Sequence, residues 1–224
     1  MSKREVVMKK GISSIVTAAL LAGCAGPQMR LADEDRRALA GAPRVHVVHQ
    51  PALRIFTVEG RAHNAALLFG IVGVMASVGH SMSVQQELKP EDPVLRVKQR
   101  MASVLAGELG VRGVNVVEEP IASDQPDDLR MKLQGGLVLD ARTIAWGLHN
   151  DRARYEGRAR LLRLDDSTLL WQANCEHILD EDKESPTREA LMANGGALLK
   201  ANLAKAADRC ADALAASLIG KTGR

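Results

Sequence analysis

The chain has 224 residues, and its formal charge of +3 is carried by residues 1–24, where Lys3, Arg4, Lys9 and Lys10 oppose Glu5. The remainder is neutral, which removes the general electrostatic case for binding nucleic acid. Two tryptophans, one tyrosine and two phenylalanines are also too few to build stacking platforms for bases.

At the start of the chain, Lys9 and Lys10 precede an apolar run over residues 12–22 that ends in Leu21-Ala22-Gly23-Cys24. A basic region, an apolar core and small residues are the layout of a secretory signal peptide. The run is shorter than the roughly 20 residues that span a bilayer. Its ending resembles the lipobox of bacterial lipoproteins. That resemblance implies cleavage before Cys24, acylation of Cys24 with palmitate-like chains, and attachment at about 0.8 kcal/mol per buried methylene. Ala25 follows, where Asp would retain a lipoprotein at the inner membrane, so the resemblance implies the periplasmic side of the outer membrane. An ordinary signal peptide with an incidental cysteine is the alternative. Met8-Lys9-Lys10 offers a second possible start.

Residues 25–43 are polar and helix-tolerant, and are expected to be a tether between lipid and domain. Residues 44–50 and 53–58 are β-branched and alternating, which predicts two strands broken at Pro51. Residues 64–86 then hold no formally charged side chain apart from His80. Within them, residues 65–79 are apolar or small; as a helix they would be about 22 Å long, short of the roughly 30 Å hydrocarbon layer. Leu67, Leu68, Phe69, Gly70, Ile71, Val72, Gly73, Val74 and Met75 are therefore the candidate contact with a membrane or a partner, with burial in the domain as the alternative.

A helix follows, capped by Asp92 with Pro93 in its first turn, a stripe of Val94, Val97, Met101, Leu105 and Leu109, and Gly110 at its close. Residues 114–117 predict a short strand, and 133–146, 155–164 and 168–178 three longer ones. In the middle one, Glu156, Arg158 and Arg160 alternate with Tyr155, Gly157 and Ala159, so one face is wet and the other buried. Asp165-Asp166-Ser167 reads as a hairpin connection. Residues 179–186 form an acidic loop, Thr187 opens an Ala-rich helix to about 219, and 220–224 are a tail. These elements predict one α+β domain over residues 44–219, with a mixed, largely antiparallel sheet and helices on one face.

Cys175 falls on the last strand beside Trp171 and Ala173, and Cys210 on the last helix in the stripe Leu199, Leu203, Ala206, Cys210 and Leu214. Both point into one helix–sheet layer. In an oxidising periplasm they are expected to form a disulfide that closes a 35-residue interval. The chain-entropy model gives such a staple roughly 3.8 kcal/mol. Two buried free thiols are the alternative.

Other chemistry is weaker. Gly79-His80-Ser81-Met82-Ser83 approaches the nucleophile elbow of α/β-hydrolases, but Ser83 stands where the second glycine belongs. His46 and His49 are three apart on a strand, hence on opposite faces, which argues against a metal pair. Asp180, Glu181, Asp182 and Glu184 read as a solvated turn without the Gly-punctuated spacing of calcium loops. No metal or cofactor is expected. Trp146 and Trp171, on adjacent predicted strands, form either a core pair or the wall of an apolar pocket. Asp140, Arg142 and Arg160 are expected to meet on the wet sheet face.

From Arg44 onward, the helix over 92–110 ahead of Gly113-Val114-Asn115-Val116-Val117, and the hairpin ending Thr168-Leu169-Leu170-Trp171, carry a second resemblance. The order of elements is similar to the compact domain of envelope-assembly and transport-associated lipoproteins, such as the Tol-associated and curli-secretion proteins. It implies a non-enzymatic subunit or scaffold of an envelope complex, with a protein partner or self-association. A carrier of a lipid or other apolar ligand is the second expectation, and a serine hydrolase using Ser81 a remote third. Fold analogy alone does not fix a function.

Overall fold

Six strands form one mixed sheet in a computed structural model that describes residues 28–51, 56–59, 91–149, 152–179 and 186–221. Cys24, the contact residues 67–75, Ser81 and the acidic residues 180–184 lie outside the described residues. The strands are β1 (Val45–His49), β2 (Phe56–Glu59), β3 (Val114–Val116), β4 (Leu137–His149), β5 (Arg152–Arg163) and β6 (Thr168–Ile178). Their order is β3-β1-β4-β5-β6, with β2 also on β4.

β1 and β2 take successive stretches of one β4 edge, both parallel to it. Val45 to His49 lie opposite Leu137 to Ala141, and Phe56 to Glu59 opposite Trp146 to His149. Pro51 falls between them, where a missing N–H interrupts a ladder. β4, β5 and β6 form the expected antiparallel meander. The architecture is α+β, with a long C-terminal helix closing the sheet.

The helices are α1 (Asp33–Gly41), α2 (Val94–Gly107), α3 (Pro126–Leu133) and α4 (Arg188–Leu218). Strand alternation sorts the core. Val45, Val47, Leu139, Ala141, Tyr155, Ala159, Leu161 and Trp171 face one side, in a cluster with Val97, Met101 and Leu105 of α2 and Leu203, Ala206 and Leu214 of α4. Val48, Val138 and Leu162 face the other side and pack with Leu129 of α3. Helices therefore cover both faces: α3 shields one end of the face that the sequence pattern left wholly to water.

Three further departures have local causes. Residues 28–43 are built into the domain rather than forming a tether: Leu39 is fully buried, Leu31 is 6% exposed, and Met29 bridges to Gln172 of β6. Arg36 of α1 also donates to the Ile219 carbonyl at 2.6 Å. Two buried leucines among many charges give too sparse a stripe to register as a core-facing helix. The first of the three long strands, β4, begins at Leu137, not 133, because α3 precedes it; Pro126 opens α3, and Gln134, at φ 62°, closes it. Finally, α4 is broken. Ala193 is extended, and Asn194, Gly195 and Gly196 are left-handed, at φ 53°, 65° and 69°. Asn and Gly are the residues that adopt this conformation at least cost, so the continuous helix starts after them.

Truncating Leu39 to Ala tests whether α1 belongs to the core. We expect a loss of about 2–5 kcal/mol in urea unfolding, whereas a detachable tether predicts no change.

Candidate functional site

Three groups of side chains stand out: the layer under α4, the wet sheet face, and a buried polar cluster beside the start of α2. The first is structural. Cys175 and Cys210 are joined in a disulfide with their Cα atoms 5.5 Å apart. Nearby, the Trp171 indole N–H donates to the Ser217 hydroxyl at 3.4 Å.

The two tryptophans do not share a pocket. β5 lies between their strands; Trp146 pairs with Tyr155 and Trp171 with Leu161. Six residues of strand separate those positions, roughly 20 Å. Trp171 is fully buried in the core. Trp146 instead lines a cavity of about 300 Å³ with Asp92, Arg96, Lys200 and Leu203. The placement on adjacent strands failed because the meander inserts β5 between them.

On the wet face, the expected cluster forms and is larger than its sequence pattern indicated. Arg160 Nε donates to Asp140 Oδ2 at 2.9 Å, and the Gln50 amide donates to the same oxygen at 3.0 Å. Arg142 and Arg158 stand directly opposite each other across β4 and β5, an unfavourable pairing of like charges. Asp124 relieves it: its Oδ2 lies 3.6 Å from a guanidinium nitrogen of each. Arg160 also donates to the Asp124 carbonyl. Burial raises the Asp140 pKa, against the opposing pull of Arg160. The arginines thus pin the loop before α3 to the sheet. Sequence reading placed Arg158 on the wet face without joining it to the cluster, and missed Gln50 and Asp124, which lie outside any periodic element.

The third group gathers where β1 ends. His49 is 5% exposed, and its Nδ1 has no hydrogen-bond partner. Lys98 of α2 is 2% exposed; its ammonium donates to the Val117 carbonyl at 3.1 Å and lies 3.5 Å from Glu118 Oε2. Thr143 Oγ1 stands 3.3 Å from both Asp92 Oδ1 and the Tyr155 hydroxyl. Asp92 Oδ1 also accepts the Val94 N–H at 3.0 Å, fixing the start of α2. His46 points the other way and meets the Asn115 amide at 2.9 Å. Among the described residues, no group of three or more His, Cys, Asp or Glu could hold a metal ion.

No protein-family model matches the sequence, and no curated protein does. Solved structures give slight likenesses. One is the PelC dodecamer from Paraburkholderia phytofirmans, at 12% identity and a TM-score of 0.30, over 82% of this chain and 93% of that one. Another is a Caulobacter crescentus protein provisionally described as a lipoprotein, at 11% identity and a TM-score of 0.35, over 83% of this chain and 96% of that one.

His49 gives the site a pH signature. Burial first, then Lys98, lowers its pKa below the ordinary 6.5. The folded state therefore holds fewer protons than the unfolded state in the window below 6.5. Stability from neutral His49 is complete above that value and is lost as pH falls through the lowered one. Urea midpoints should fall on acidification below about pH 6.5, and less steeply in His49→Gln. Equal slopes would contradict this.

Proposed function

We propose that this chain is a lipid-anchored lipoprotein on the periplasmic side of the bacterial outer membrane, a non-enzymatic subunit or scaffold of an envelope assembly or transport complex. The observation that carries the reading is Leu21-Ala22-Gly23-Cys24 after a basic and apolar leader, followed by Ala25. One feature of the domain supports it: the Cys175–Cys210 disulfide suits an oxidising compartment. No helix among the described residues is long and apolar enough to cross a membrane.

Asp140, Arg160, Asp124 and Lys98 tie loops and helices to the sheet within the domain. A carrier of a small apolar ligand is the second reading, favoured by the cavity beside Trp146. At about 300 Å³ that cavity stands at the low end of ligand-site volumes.

Metabolic labelling with a palmitate analogue checks the anchor. The wild-type chain is expected to take up label and to fractionate with the outer membrane, and Cys24→Ser to do neither. Unlabelled wild-type protein released without detergent would contradict the reading.

A further inference from the structure

The first described residues of the chain add to the sheet at its edge. Met29 N–H donates to the Gln172 carbonyl at 2.8 Å, and Gln172 N–H to the Met29 carbonyl at 3.2 Å. The pairing is antiparallel and lies on β6, an edge strand. Through the meander, β6 runs in the same direction as β4. The end of β4 at His149, the start of β5 at Arg152 and the end of β6 at Ile178 therefore share one end of the sheet. Traced backward from Met29, the chain heads toward that end.

Four residues stand between Cys24 and Met29. A fully extended chain covers at most about 3.6 Å per residue, roughly 18 Å over this interval. From Gln172 to Ile178, β6 rises roughly 20 Å. Along that route Cys24 cannot pass beyond the end of the sheet, so its acyl chains enter a bilayer only where this corner meets the headgroups. If the chain leaves sideways, Cys24 still stays within the same roughly 18 Å of the β6 edge. Either path keeps the acyl group close to that edge.

We propose that the β6 edge, with the sheet end that carries Arg152 and Arg154, is the membrane-facing surface of the domain and rests on phospholipid headgroups of the leaflet that holds Cys24. This rests on the lipid-anchor reading. Arg152 at this end is exposed, and guanidinium groups match phosphate geometry. Arg154 nearby is held by Glu156 at 2.9 Å and Glu176 at 2.8 Å.

The test uses the full lipidated chain in vesicles of phosphatidylethanolamine and phosphatidylglycerol that contain a lipid with a nitroxide on its headgroup. A fluorophore is attached through Arg152→Cys or, in a second sample, Arg112→Cys. Residue 112 precedes β3 at the far edge and far end of the sheet, roughly 40 Å away by strand spacing and rise. Quenching several times stronger at residue 152 is expected. Equal or stronger quenching at residue 112 overturns the orientation, as does quenching at neither site, which would place a protein layer between. Intact mass separates the two ideas: an unacylated chain overturns the lipid anchor together with this inference. An acylated chain with the wrong quenching pattern overturns the orientation alone.

Discussion

The contact between α4 and the meander is the constraint on which the rest of the domain depends. Large groups come from the sheet, Tyr155 and Trp171, and small ones from the helix, Ala206, Ala207, Cys210 and Ala211. Small residues bring the helix close to the strands, and each buried large side chain contributes about 1.5–3 kcal/mol. Gly157 is part of the same fit: a Cβ there would come within 2.9 Å of the Tyr155 ring. Cys175 lies opposite Gly157 and is linked covalently to α4. A helix fixed at this spacing also sets the position of α2, whose Arg96 and Arg100 reach Asp208 and Asp212 of α4 at 3.1 and 2.8 Å. Both pairs are solvent-exposed, so they set alignment more than stability.

Legibility in the sequence followed the density of the signal. β5 alternates from Arg152 to Leu161, and its wet face was readable from Tyr155 to Arg160. The α2 stripe and the α4 stripe through Cys210 were readable for the same reason. The break at Ala193 to Gly196 was hidden by an alanine-rich context that favours helix on both sides, although Asn194-Gly195-Gly196 was the warning. Helices α1 and α3 bury too few apolar residues to show a period; each has one leucine at zero exposure, Leu39 and Leu129.

The wet-face cluster was only half visible. Asp140, Arg142 and Arg160 share a periodic pattern on two strands. Their remaining partners come from the end of β1 and from an aperiodic loop, so only the fold brings them together. His49 and Lys98 show the opposite limit. His49 was weighed only as half of a histidine pair and Lys98 was not singled out; what distinguishes them is burial, which local sequence does not encode.

On the proposed lipid anchor, a domain tied to its own edge strand at Met29 has only a short span left to reach a lipid. Such an arrangement suits a part that must hold a fixed attitude toward a membrane and toward neighbours. The most direct test of that role is the native mass of the detergent-extracted, lipidated protein. A scaffold subunit predicts an assembly several times the mass of the chain, whether with itself or with a partner. A protein that runs only as a monomer across concentrations would contradict the account.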